Sequence, residues 1–191
     1  AVIQRALDEG TWLTNVGAQL SSSQRAVEAA ARYPQGVYAA VGLHPVHVAP
    51  TEGKEELAGE RVEFVTHGEE FDAAKYHALA TQPKVVAIGE IGLDYLKSES
   101  GAAQAEAWAK VQTKQREVFQ AQLDLADELN KPVIIHCRNA HEDVLKILEA
   151  RYSSESGDSP PTGRGIAHFF TGTLEQAERY RQLGLYIAFG A

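Results

Sequence analysis

Short apolar runs, each followed by a stretch of helical pattern, recur along the chain and restrict its fold more than any other feature. Val37–Val41, Val85–Ile88, Val133–Ile135, Gly165–Ala167 and Leu185–Phe189 are such runs, and Thr11–Val16 is a less regular sixth. Runs this short, β-branched and apolar on both faces read as parallel strands covered by helices. The segments between them carry the helical period. Phe119, Leu123 and Ala126 share a face between Gln115 and Leu129, and Val144, Leu145 and Leu148 share one between His141 and Tyr152. Asn130 and Gly184 stand where two helices should stop, Leu174–Leu183 being the second, and Ser21 or Ser22 is placed to cap a helix over Gln24–Tyr33. The alternation with parallel pairing predicts an α/β fold, and a (β/α) TIM barrel is taken as its form. Strands are expected near 12–16, 37–43, 85–90, 133–137, 165–169 and 185–189, parallel in that order.

Three segments lack this rhythm. Val46–Phe71 is polar, Gly/Glu-rich and without a period; Ser98–Gln112 runs from Ser-Glu-Ser-Gly into an alanine-rich helix; Ser153–Arg164 reads as a loop. None reads as a linker, so residues 1–191 are taken as a single, partial domain. An eight-stranded barrel needs roughly 250 residues. A chain of 191 residues without a methionine is therefore expected to hold six of the eight strands and to begin inside a longer gene.

Charge narrows the function. A net charge of −8, from 26 acidic and 18 basic residues, excludes a general nucleic-acid coat. It leaves room for an enzyme that holds nucleic acid locally through metal ions. The single Cys137 rules out an internal disulfide and fits a reducing, cytoplasmic setting. No apolar run is long enough to span a bilayer, and Ala1–Arg5 does not open a signal peptide.

Four of the runs end in polar groups: Gly42-Leu43-His44-Pro45, Gly89-Glu90-Ile91-Gly92-Leu93-Asp94-Tyr95, His136-Cys137-Arg138 and His168-Phe169-Phe170-Thr171-Gly172. In a parallel barrel all C-terminal strand ends open on one face, so these groups should converge there. Taken singly, each His reads more readily as a hydrogen-bonded core residue, and Glu90 as a capping or salt-bridged carboxylate. A divalent metal is the simplest partner that Glu90, His136 and His168 could share. On the residues alone the two readings stand level. His47, His67, His77 and His141 read as solvated, as do the acidic clusters Glu52–Glu56 and His67–Glu70. Cys137 should face away from His136 and pack beneath a helix; Trp12, Tyr33 and Trp108 also read as packing residues.

At these same residues the chain resembles the TatD DNase family of amidohydrolase-like barrels. The strings VYAAVGLHP (Val37–Pro45), KVVAIGEIGLDY (Lys84–Tyr95), QREVF (Gln115–Phe119), PVIIHCR (Pro132–Arg138), HFFTG (His168–Gly172) and YIAFG (Tyr186–Gly190) occur in family order. The GEIGLDY string is the most specific of them. The resemblance implies that Glu90 bridges two divalent ions, with His136 and His168 as further ligands. Magnesium, manganese or zinc would suit such a mixed set. It also implies that His44 lies at the pocket edge and binds substrate phosphate, with Asp94 and Arg138 in supporting and phosphate-binding roles. Two family strings do not occur here: a first strand with a His-x-His pair, and a last strand with Glu-Thr-Asp, whose Asp is a ligand that activates water. Ala1 would then fall in the family's first helix and Ala191 just past its seventh strand. The gap is expected to be open or filled by a neighbouring chain.

The expected activity is metal-dependent phosphodiester hydrolysis by a TatD-type deoxyribonuclease acting on single-stranded DNA ends, with Glu90, His44, Asp94 and Arg138 as catalytic candidates. One rival is an amide, lactone or aminoacyl-ester hydrolase using the same metals; another is a metal-binding fragment without catalysis. His44 and Arg138 favour the phosphodiester. No membrane and no stable protein partner are expected. With half of the family's ligands absent, the 191-residue chain alone is expected to have very low nuclease activity and poor solubility.

Overall fold

The computed structural model describes residues 2–57, 60–96, 102–152 and 163–190. Six strands form one sheet: β1 (Leu13–Val16), β2 (Val37–Val41), β5 (Val85–Asp94), β6 (Val133–Arg138), β7 (Gly165–Ala167) and β8 (Leu185–Ile187). They lie in that spatial order, and each neighbouring pair is parallel. Helices α2 (Leu20–Ala31), α3 (Ala73–Ala80), α4 (Ala102–Glu128), α5 (His141–Tyr152) and α6 (Leu174–Gln182) make the crossovers, and α1 (Val2–Asp8) precedes β1. Sequential neighbours joined by helices are the arrangement of a (β/α) barrel, here with β1 and β8 at the two edges.

Period-two burial shows which face the helices cover. Along β6, Val133, Ile135 and Cys137 are buried, while Ile134, His136 and Arg138 are half-buried on the other face. Cys137 therefore packs under helices and points away from His136. Phe119 and Leu123 of α4 and Leu145 and Leu148 of α5 are fully buried and join Ile88, Ile91, Leu93 and Ile135 in one core. Asn130 ends α4 with φ 49°, the left-handed turn that asparagine tolerates. No helix among the described residues is long and apolar enough to cross a membrane.

The structure departs from expectation in four places. The aperiodic stretch Val46–Phe71 contains an antiparallel hairpin, β3 (Pro50–Leu57) with β4 (Glu60–His67), separate from the main sheet. Helix α2 begins at Leu20, ahead of the expected Gln24. The Ser22 hydroxyl lies inside its first turn and accepts the N–H groups of Ala18 and Gln19, both at 2.9 Å. The alanine-rich stretch and Gln115–Leu129 merge into the 27-residue α4. Trp12, expected to pack, is 60% exposed and only leans on Tyr38. Most of the loop expected over Ser153–Arg164, and the start of Ser98–Gln112, lie outside the described residues.

Leu123→Ala should lower unfolding free energy by about 2–5 kcal/mol, because it opens a cavity between α4 and the sheet. Leu174→Ala, at an 88% exposed position, should change it by less than about 0.5 kcal/mol. Chemical denaturation of the two variants checks the assignment of the core.

Candidate metal centre

Glu90 reaches the polar face because β5 breaks register there. Ile88 pairs with Val133 and Ile91 with Ile135, so β5 spends one residue more than β6 over the same length. The Glu90 N–H donates to the Gly17 carbonyl at 3.0 Å. Such a bulge re-aims a side chain. Two glycines permit it. A Cβ on Gly89 would sit 2.5 Å from the Ile134 Cβ, and one on Gly92, whose φ is 140°, would sit 2.0 Å from the His136 carbonyl oxygen. The glycines of the Gly-Glu-Ile-Gly string are thus required by close backbone approach of β5 to β6.

His44, Glu90 and His136 each offer a ligand atom within 4.8 Å of the others. The His44 and His136 rings meet edge-on with centroids 4.2 Å apart. His136 is held between two carboxylates: Nδ1 faces Glu90 Oε1 at 3.3 Å and Nε2 faces Asp94 Oδ2 at 3.0 Å. Asp94 is 4% exposed. Its Oδ2 also accepts Arg138 Nε at 2.9 Å and Nη2 at 2.7 Å, and its Oδ1 accepts the Leu96 N–H at 3.0 Å.

The electrostatics follow from these contacts. Burial alone would raise the Asp94 carboxyl, but the bonds from His136 and Arg138 outweigh it and hold the group well below the usual range. Glu90 is also lowered: burial opposes this, and the His136 bond and the charges of His44 and His136 prevail. Burial works against a charged His136, yet its bonds to Asp94 and Glu90 raise its pKa. His44 goes the other way. Burial, aided by repulsion from His136, lowers it from 6.5 to about 3. Its Nδ1 accepts the Val46 N–H at 3.2 Å, so the neutral ring carries its proton on Nε2.

The structure thus brings together Glu90, His136 and His44, with Asp94 and Arg138 directly behind. His44, expected at the pocket edge, lies within the cluster. His168 stands apart from it. Its N–H donates to the Ile135 carbonyl at 2.9 Å, its side chain is exposed, and its charge still acts on Glu90.

Other polar residues depart from their expected roles. Glu69, read as part of a solvated acidic cluster, accepts the Leu20 N–H at 3.1 Å and the Tyr76 hydroxyl at 2.7 Å. Its own N–H donates to the His47 carbonyl at 2.7 Å, bracing the turn that follows His44. A run of like charges with no period hid it. His141, also read as solvated, is half-buried, with Nδ1 3.2 Å from the Tyr180 hydroxyl. Burial pushes the neighbouring Cys137 thiol up to about 11.

A Glu carboxylate and an imidazole whose far nitrogen is fixed by a second carboxylate form a donor set that suits a divalent cation, so the residues fit such a group. A sequence profile of the family described as TatD related DNase matches residues 1–191. A 3'-5' ssDNA/RNA exonuclease TatD of Erwinia billingiae (strain Eb661) is 35% identical over 187 residues, covering 97% of this chain and 59% of that relative. An uncharacterized metal-dependent hydrolase, YabD of Bacillus subtilis (strain 168), is 36% identical over 191 residues, covering 99% of this chain and 61% of the relative. The crystal structure of YJJV, a TatD homologue from Escherichia coli k12, superposes with a TM-score of 0.68 at 28% identity, over 97% of this chain and 59% of that one. A TatD family hydrolase from Entamoeba histolytica shares the fold at a TM-score of 0.67 and 22% identity, over 98% of this chain and 55% of that one. The chain therefore spans less than two thirds of these relatives. It belongs to the TatD-related DNase family.

Proposed function

We propose that this protein is a metal-dependent phosphodiesterase that removes nucleotides from the ends of single-stranded nucleic acid. The observation that carries the reading is the Glu90–His136–Asp94 relay, in which a buried carboxylate orients an imidazole beside a second carboxylate. Glu90 and His136 Nδ1 would hold a divalent ion, with His168 completing the set; two ions, of magnesium, manganese or zinc, are proposed for the whole protein. Ions bound there polarise the phosphate and make water acidic enough to attack near neutral pH.

The chain's own groups supply the rest. His136 donates from Nε2 to Asp94, which leaves the Nδ1 lone pair directed at the ion site. His44 is neutral with its proton on Nε2, so it acts as a hydrogen-bond donor to a phosphate oxygen rather than as a ligand. Arg138 is oriented by Asp94 and keeps 28% of its side chain exposed, where it can meet phosphate charge. With a net charge of −8, attraction for nucleic acid is confined to this local cluster. The name of the Erwinia relative, an exonuclease of single-stranded DNA and RNA, supports the substrate class. A cytoplasmic setting suits the lone buried thiol.

In the whole protein, release of nucleotides from end-labelled single-stranded DNA should require Mn²⁺ or Mg²⁺, stop on chelation and be abolished by Glu90→Gln. A carboxyl ester run alongside should be turned over poorly; preferred turnover of the ester would refute the phosphodiester reading. His44→Ala should bind Mn²⁺ as tightly as the unsubstituted protein but lose about 10²–10³-fold in kcat, the usual effect of removing one donor to developing charge. Loss of Mn²⁺ affinity in that variant would instead make His44 a ligand.

A further inference from the structure

Helix α4 sends two glutamines into the core: Gln115 is 3% exposed and Gln122 is 1% exposed. They are seven residues apart in the sequence and so lie on one face of the helix, with Phe119 between them. Gln122 Oε1 accepts the Leu43 N–H at 2.7 Å, and its Nε2 donates to the Leu43 carbonyl at 3.0 Å. Gln115 Oε1 accepts the Asp94 N–H at 3.0 Å, and its Nε2 donates to the Asp94 carbonyl at 3.1 Å and the Pro45 carbonyl at 3.3 Å. Each side-chain amide thus pairs with a main chain as a neighbouring strand would. The places are specific. β2 has ended at Val41 and β5 ends at Asp94, so the main chain is leaving the ladder at these points. Leu43 and Pro45 flank His44, and Asp94 orients His136 and Arg138.

We infer that Gln115 and Gln122 are positioning residues that set the spacing between His44 and the Asp94–His136 pair. A primary amide is the side chain that can both accept and donate in the pattern of a peptide group. Glutamate keeps the acceptor and loses the donor; methionine keeps the shape and loses both. The effect on metal rests on the proposed metal-dependent reading, whereas the clamp itself rests on geometry.

The test compares Gln122→Met and Gln115→Met with Phe119→Leu, an apolar change on the same helix face. Three quantities are read on the full chain: Mn²⁺ affinity, hydrogen exchange at the Leu43 amide, and the NMR resonances of the His44 ring. Gln122→Met should speed Leu43 exchange and move the His44 resonances, whereas Gln115→Met, behind Asp94 and His136, should weaken Mn²⁺ binding by about 10–100-fold, as loss of support behind a ligand set does. Phe119→Leu should lower the thermal midpoint with affinity and resonances unchanged. Unaltered His44 resonances in Gln122→Met, unaltered affinity in Gln115→Met, or equal changes in Phe119→Leu, would overturn the proposal. If Gln122→Met does not fold, Gln122→Glu is read by the same criteria. If the unsubstituted chain binds no Mn²⁺, the metal reading fails, and the clamp stands or falls on whether the His44 resonances respond to Gln122 and not to Phe119.

Discussion

A carboxylate buried as deeply as Asp94 has to be matched, and the polar face is organised by that requirement. Leaving such a charge unpartnered costs about 3–5 kcal/mol. Four donors meet the demand: the Leu96 N–H, two guanidinium nitrogens of Arg138, and His136 Nε2. The last of these has consequences for chemistry. A neutral imidazole that donates from Nε2 offers its lone pair from Nδ1, on the side of Glu90. Orientation of the ring, placement of the arginine and the low pKa of the carboxyl are therefore results of one buried charge.

On the proposed reading, an acidic chain has to address an acidic polymer. Arg138 at the site is paired with Asp94, within a chain whose net charge is −8. Attraction falls off within about a Debye length, roughly 8–10 Å at physiological salt. Beyond that distance the surface repels nucleic acid. A short, flexible end can approach such a site more easily than the middle of a duplex.

Much of this was legible in the sequence. The six strand positions and their order followed from short β-branched runs, because parallel strands are buried on both faces and cannot avoid being apolar. Glu90, His136 and Asp94 were visible as polar residues closing such runs. What was hidden depended on contacts far apart in sequence. Glu69 braces the turn after His44 through its N–H to the His47 carbonyl while its carboxylate accepts from Leu20 and Tyr76, and nothing in a run of acidic residues marks one as different. His44 owes its tautomer to a backbone N–H two residues on, which no spacing rule reports. His168 ended a run as clearly as His136 did, yet β7 is three residues long and the side chain that follows it is exposed. The β3–β4 hairpin escaped because its stretch of sequence is polar and Gly/Glu-rich and holds no continuous apolar run.

That hairpin leaves and rejoins the chain at neighbouring points, since Pro50 pairs with His67. Its base is fastened by the Thr66 hydroxyl, which donates to the Ala49 carbonyl at 2.9 Å and the Val46 carbonyl at 3.2 Å. To the barrel, the excursion is a detour that begins and ends at one spot. Lengthening such a loop costs little, because closure entropy grows only logarithmically. The chain just after His44 thus carries a natural graft point, where a segment could be added or exchanged while the strands of the main sheet keep their register.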